Sequence, residues 1–313
     1  MPRGITPFVG TASAPAERWP AQWGPRPEQD EDVGQDEPVI CTIGDFLLDV
    51  VVTGSGPLQR AADTFSEISV GPGGQAANVA AWAAALGGSA RLVAKRVADP
   101  AGRMVLAELA QRGVEVLGPE VGEGSGRRTG VVVSLSGFDA ERSMLTDRGI
   151  SPCLRPDELR EEWFEGCTWL HLPLYSLASE PLRSASLQAR RWVKRASLDL
   201  SSATVLRSMG KGEVSAILAQ VRPEVVFATE EEASLADLSM VPTVVTKMGE
   251  GGVAVNGTAF PAPPTRVVDT TGAGDAFAAG FLLEGPRLGL AAAARAVSAR
   301  GAMPATPAPR GAQ

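Results

Sequence analysis

Three short runs, Ala196-Ser-Leu-Asp-Leu200, Val225-Val-Phe-Ala228 and Thr243-Val-Val-Thr246, decide the fold of this chain. Each is apolar, bulky or β-branched, and too short to be a core helix. Between them lie Gly212–Gln220 and Glu230–Asp237, which have the length and composition of helices. Strand, helix, strand, helix, strand is the pattern of a parallel sheet whose crossovers cover both faces. The alternation continues outward. Strand-like runs stand at Val39–Ile43, Leu92–Ala94 and Cys167–Leu172, and helix-like runs at Gln75–Leu86, Gly102–Arg112 and Leu182–Arg195. The class is therefore α/β.

Two stretches break the rhythm, within about residues 46–70 and 129–147. Both carry β-type runs with no helix between them. Thr129–Leu135, a loop at Ser136–Asp139 and Arg142–Thr146 read as a hairpin. Such strands make a small sheet over one edge, a lid. Residues 1–37 are rich in Pro, Ala, Gly and acids, show no periodicity, and are expected to be a disordered extension. The folded domain is expected to cover 38–313.

The chain has 313 residues, 44% hydrophobic and 21% charged, with a net charge of −7 and a pI near 5.0. An acidic balance excludes a general nucleic-acid binder, which shows a basic excess. No apolar run is long enough to span a membrane, and the start has no signal-peptide pattern, so a cytoplasmic protein is expected. The three cysteines, Cys41, Cys153 and Cys167, have no CxxC spacing and are expected to be reduced thiols. His171 is the single histidine. Between Leu170 and Leu172 it reads as a strand residue rather than a catalyst.

The chemistry concentrates in Val267-Val-Asp-Thr-Thr-Gly-Ala-Gly-Asp-Ala-Phe-Ala-Ala-Gly-Phe281. Gly272 and Gly274 make a tight turn, and a helix is expected from about Asp275. Backbone amides at a helix N-terminus form an anion site. Asp275 puts a carboxylate beside that site. It could simply cap the helix. Phosphoryl transfer, however, needs amides for the phosphate's charge and a carboxylate for the attacking hydroxyl's proton at one point. The helix that follows is apolar nearly all round and would hold Asp275 rigidly.

Asp269-Thr-Thr-Gly-Ala-Gly-Asp275-Ala-Phe resembles the C-terminal signature of the PfkB/ribokinase-like carbohydrate kinases. Gly71-Pro-Gly-Gly-Gln-Ala-Ala-Asn78, leading on to Gly87, resembles that family's N-terminal signature. The resemblance covers about residues 38–303. It implies a three-layer α/β/α fold with a β lid, ATP and Mg²⁺ as phosphoryl donor and metal, and a small sugar, sugar acid or nucleoside as acceptor. It also implies Asp275 as base, with the amides of Gly272, Ala273 and Gly274 as anion hole. Asp49, Gly73, Gly74 and Asn78 are implied on the substrate, and Thr246, Gly249 and Gly251 by the nucleotide. Glu232 is implied as orienting a Mg²⁺-bound water, although Thr229 stands where relatives carry Asn. Asp269 and Thr270 are implied near a monovalent cation, potassium. A homodimer through the lid belongs to the same set of expectations. Relatives continue further after the catalytic helix than the short Ala291–Arg300 run here, which suggests an abbreviated adenine pocket.

Three other readings compete. Gly71-x-Gly73-x-x-Ala76 fits a dinucleotide-binding pattern, but a lone match leaves Asp269–Phe277 unexplained. A nucleoside kinase of the same family, for example for pseudouridine, is a second. A non-catalytic sugar sensor on the same fold is a third. The Walker pattern is absent from the sequence.

Overall fold

The computed structural model of the chain describes residues 38–306 apart from 55, 60 and 139–142; the expected extension at 1–37 and Arg142 lie outside the described residues. In chain order the strands are β1 (Val39–Ile43), β2 (Leu47–Thr53), β3 (Glu67–Gly73), β4 (Ser89–Val93), β5 (Arg96–Val97), β6 (Val114–Leu117), β7 (Glu120–Val121), β8 (Thr129–Ser136), β9 (Ser143–Gly149), β10 (Trp169–Pro173), β11 (Ala196–Asp199), β12 (Val225–Thr229), β13 (Thr243–Lys247), β14 (Val253–Val255) and β15 (Thr258–Phe260). The helices are α1 (Gln75–Ala85), α2 (Pro100–Gln111), α3 (Leu182–Trp192), α4 (Ala203–Met209), α5 (Lys211–Val221), α6 (Glu230–Ser234), α7 (Ala273–Glu284) and α8 (Pro286–Val297).

Nine strands form one sheet in the order β15-β14-β13-β12-β11-β10-β1-β4-β6. From β6 across to β13 every pairing is parallel, and β14 and β15 close the edge antiparallel. Strand alternation sends Ile40, Leu92, Phe227 and Val245 to one face, packed on α1, α2, α7 and α8. It sends Cys41, Leu170, Leu198 and Val226 to the other, packed on α3, α4 and α5. Three layers follow from that division. Phe227 anchors the first face, meeting Phe277 and Phe281 of α7 edge-on at 6.1 and 5.4 Å between ring centroids.

The second sheet has four strands in the order β3-β2-β8-β9 and is the expected lid. The β8–β9 pair is the antiparallel hairpin read from the sequence. Asp99 fastens the lid's root from below. It caps α2 through the Gly102 N–H (2.7 Å) and accepts from the Thr129 N–H and hydroxyl at 2.8 and 2.7 Å. Those bonds hold its carboxyl below the usual range against the opposing effect of burial.

Cys41 and Cys167 are joined as a disulfide across 126 residues, with Cα atoms 6.0 Å apart, so the reading of reduced thiols is corrected for this pair. Parallel pairing of β1 with β10 sets Cys41 beside Leu170, and strand register is something that cysteine spacing does not encode. Cys153 is free. His171 is fully buried in β10 with Nδ1 2.9 Å from the Ser197 hydroxyl. Burial pushes its pKa down to about 4, so it is neutral at pH 7. No helix among the described residues is long and apolar enough to cross a membrane.

Candidate active site

Ligands of open α/β sheets bind beyond the carboxyl ends of the strands. Here those ends carry Asp199 (β11), Thr229 (β12) and Lys247 (β13). The N-termini of α1 and α7 converge on the same place.

The glycine turn opens α7. Gly272 is the N-cap of α7 at φ 75°, a left-handed conformation that glycine adopts without strain. The helix therefore starts at Ala273, two residues before the expected start, and Asp275 sits inside its first turn. No side chain caps this end. The Gly274 and Asp275 N–H groups are thus left without intrahelical partners, as first-turn groups are. The Ala273 N–H turns to the Thr270 carbonyl at a long 3.4 Å.

A short segment after α8 buttresses the turn. A Cβ on Gly272 would lie 2.2 Å from the Ala302 carbonyl oxygen. That oxygen accepts from the Trp82 indole N–H at 2.9 Å. The Gly301 N–H donates to Asp269 Oδ2 at 3.0 Å, and Arg112 Nε donates to the Pro304 carbonyl at 3.1 Å. Asp269 Oδ1 takes the Thr271 N–H and hydroxyl at 2.9 and 2.6 Å. Both Asp269 oxygens therefore accept from the protein, and Thr270 is exposed.

Asp275 is buried. Asn78 Nδ2 donates to its Oδ2 at 2.8 Å, and the Gln75 amide lies near enough to favour the ionised carboxyl. Gln75 and Asn78 are three residues apart on α1, hence on one helix face. Burial dominates and pushes the Asp275 pKa up to about 7, with Asp199 raising it further while Asn78, Lys247 and Gln75 oppose. The other oxygens of the two amides, Asn78 Oδ1 and Gln75 Oε1, are buried with no hydrogen-bond partner. A buried acceptor left unpaired costs about 1–3 kcal/mol, so this pair of oxygens awaits donors.

Lys247 lies across the turn from α1. Its ammonium meets Asp199 Oδ2 and Oδ1 at 2.9 and 3.2 Å, with the lysine side chain 19% exposed and the aspartate 1%. Burial alone would lower the Lys247 pKa, but Asp199, Glu232 and Asp275 together raise it. Glu232 forms a capping box with Thr229: the Thr229 N–H donates to Glu232 Oε2 at 2.8 Å, and the Glu232 N–H donates to the Thr229 hydroxyl at 3.2 Å. Threonine thus serves as N-cap at the position where the family's asparagine was expected.

On the lid side, Asp49 of β2 lies over the bare Cα of Gly73; a Cβ there would be 2.0 Å from its Oδ1. Gly74 follows as the N-cap of α1, close against the Asp45 carbonyl. Arg148, at the end of β9, grips Asp45 with both ends of its fork at 2.8–3.1 Å and donates to the Tyr175 carbonyl at 3.0 Å.

The structure thus brings Asp275, Asn78 and the Gly272–Gly274 turn together, and places Glu232 within electrostatic reach through Lys247. Thr246 is one residue from Lys247 in β13, so its side chain is on the opposite face from α7. Gly249 and Gly251 occupy an exposed turn after β13. Sequence reasoning missed Gln75, Asp199, Lys247 and the Asp45–Arg148 pair.

Fold and site together are an α/β sheet with a buried carboxylate and a glycine turn at one helix start, beside a second, four-stranded sheet. Residues 38–308 match the pfkB family carbohydrate kinase family. The chain is 31% identical over 307 residues to the "Fructokinase" of Klebsiella pneumoniae, covering 86% of this chain and 96% of that one. It superposes on the adenosine kinase of Sinorhizobium meliloti with a TM-score of 0.72 at 22% identity, covering 86% and 96% of the two chains. A putative ribokinase II of E. coli in complex with ATP and Mg²⁺ matches with a TM-score of 0.70 at 21% identity, over 86% and 96%. The chain belongs to the pfkB family of carbohydrate kinases. It is an ATP-dependent sugar kinase.

Proposed function

We propose that this site phosphorylates a hydroxyl of a small neutral sugar, with fructose the first candidate. The observation that carries the reading is the trio of acceptors around one point. Asp275, with its raised pKa, is flanked by the unpartnered carbonyl oxygens of Asn78 and Gln75. A polyhydroxylated substrate supplies the hydroxyl donors that they lack. The reacting hydroxyl gives its proton to Asp275 as its oxygen attacks the γ-phosphorus of ATP, and ADP leaves. A base poised near the working pH suits this task. The amide turn Gly272–Gly274 holds the developing negative charge.

Charge supports a neutral sugar over a sugar acid. The guanidinium of Arg148, which could have met a carboxylate, is spent on Asp45. Asp49 adds negative charge to the same side, and a carboxylate accepts from hydroxyls. The name of the Klebsiella relative points the same way. In this reading Asp49, Gly73 and Gly74 hold the sugar and Gly249 and Gly251 flank the nucleotide, whereas the Thr246 side chain faces away from α7. Mg²⁺ on the ATP phosphates would supply charge neutralisation, and Glu232 would orient a water toward it. Potassium at Asp269 and Thr270 would need further carbonyl oxygens, because the Asp269 carboxylate is already bonded. A second copy of the chain on the lid's outer face fits the same reading. Strand register places Ile68, Val70 and Leu145 on one face, and each is more than half exposed.

A coupled ADP-release assay over fructose, glucose, ribose, 2-keto-3-deoxygluconate, adenosine and pseudouridine tests the substrate. Fructose should give the highest kcat/KM. Preference for the sugar acid or for a nucleoside would overturn the neutral-sugar reading. Binding without turnover of any of them would leave a sensor.

A further inference from the structure

The pair Lys247–Asp199 is not needed for the reaction as described so far. Two charges taken from water at the heart of a fold are weak evidence for stability, since apolar replacements of such pairs are often neutral or stabilising. A buried ion pair beside a reaction centre therefore calls for another use. Three observations say what it is.

Firstly, Lys247 lies over the glycine turn. A Cβ on Gly274 would come 3.6 Å from the ammonium nitrogen and 3.7 Å from Cδ. The lack of a side chain at Gly274 thus keeps the space beside the ammonium open. Secondly, the ammonium has three N–H donors, and both of its hydrogen bonds run to the one carboxylate of Asp199. Capacity remains for one more acceptor. Asp199 is itself fixed, because its Oδ1 also accepts the Ser201 N–H at 2.8 Å. Thirdly, Lys247, the Gly274 turn and Asp275 converge, and the unpartnered oxygens of Asn78 and Gln75 show that this point is built to receive something.

We propose that Lys247 is a second catalytic residue, which gives its ammonium to the phosphoryl group during transfer, and that Asp199 is its positioning residue. The inference rests on the kinase reading above. During transfer the sugar oxygen bonds to the γ-phosphorus. The bond from that phosphorus to the bridging oxygen breaks, and ADP keeps the electron pair. The sugar proton passes to Asp275. Lys247 keeps all its protons and stabilises charge on the equatorial oxygens. It does on one side of the phosphoryl group what the amide turn does on the other. This division explains why Asp275 can be both buried and usable: the carboxylate that takes the proton is distinct from the cation that holds the phosphate.

The experiment compares wild type, Lys247→Met, Lys247→Arg and the double variant Asp199→Leu/Lys247→Met. The double variant guards against misfolding, because it leaves no buried charge without its partner. Turnover with fructose and calorimetric binding of ATP, ADP and adenosine are measured for each. Lys247→Met and the double variant should lose about 10²–10³ in kcat, the scale for removing one donor to a developing anion. The KM for sugar should stay within about twofold, and ATP affinity should fall about tenfold while adenosine affinity is unchanged. Lys247→Arg should recover part of both losses. A double variant that keeps kcat within about threefold of wild type, or variants whose ATP and adenosine affinities fall alike, would overturn the proposal. If wild type turns over none of the substrates, the kinase reading fails. The ATP-against-adenosine comparison then still judges Lys247 on its own.

Discussion

Replacing Asp275 by Asn should make the protein more stable at pH 8 while nearly abolishing its activity. The carboxyl is raised from 3.8 to about 7 in the fold, which corresponds to about 4 kcal/mol of strain on its ionised form. The sign follows from linkage. Between pH 3.8 and 7 the folded state binds more protons at this group than the unfolded state does, so stability falls as pH rises through that window. Below pH 3.8 the carboxyl is neutral in both states and costs nothing on this account. Above pH 7 the whole penalty is present, and Asn removes it. Geometry permits the exchange. An Asn at 275 offers one oxygen where Asp offered two, but the Gln75 amide can rotate to present its unpartnered Oε1 to the new NH₂ group. Urea unfolding at pH 5 and pH 8 measures the effect. The variant's advantage should be about 1–2 kcal/mol at pH 5 and grow to about 4 kcal/mol at pH 8. Its kcat should fall by about 10²–10⁴. The wild-type kcat/KM should fall on the acid side of about pH 7, where Asp275 takes up its proton, and the variant should lose that limb. A variant that is no more stable at pH 8 than at pH 5, or that turns over fructose at the wild-type rate, refutes the reasoning.

Three further outcomes are expected. Gly272→Ala should cost about 1–3 kcal/mol, because φ 75° and the Ala302 carbonyl 2.2 Å from the new Cβ both oppose it; an unchanged melting curve would contradict this. His171, with its pKa pushed down to about 4 by burial, binds fewer protons folded than unfolded. It should therefore withdraw about 3 kcal/mol as pH falls from 6.5 through 4, opposite in sign to Asp275 over nearly the same window. That slope should emerge in the Asp275→Asn variant, where the opposing term is gone, and its absence there would show that His171 is not buried neutral. Ile68→Lys combined with Leu145→Lys should convert a dimer to a monomer in analytical ultracentrifugation without loss of fold; a wild type that is monomeric at all concentrations removes the premise.

The sheet was legible because parallel strands buried on both faces leave dense apolar runs such as Val225–Ala228. The glycine turn was legible because base and amides lie within a few consecutive residues. Other parts were legible but passed over. Asn256-Gly257 is a hairpin signal, and the structure turns there with φ 46° and 81° between β14 and β15. Alternation along β13 puts Lys247, not Thr246, on the face of Val245 and so beneath α7. The i, i+3 spacing of Gln75 and Asn78 could have marked both as neighbours of one partner. The Lys247–Asp199 pair is of another kind. Its members are 48 residues apart on different strands, and only the sheet order makes them neighbours. The Asp45–Arg148 clamp, spanning 103 residues, is hidden for the same reason.

The buttress at Ala302 bears on how the protein is made. The indole of Trp82 and the carbonyl of Ala302 are 220 residues apart in the chain. At about 5–20 residues per second on a ribosome, the second partner follows the first by about 10–45 s. During that interval the β1–β4–β6 side of the sheet can already assemble, whereas Gly272, made only 30 residues before Ala302, has nothing to lean on for about its first 2–6 s. Chains released early would keep the α1 amides and the lid, yet lack the strap that holds the phosphate-facing turn. Such fragments should recognise sugar before they can transfer phosphate, so catalytic competence is among the last properties the growing chain acquires.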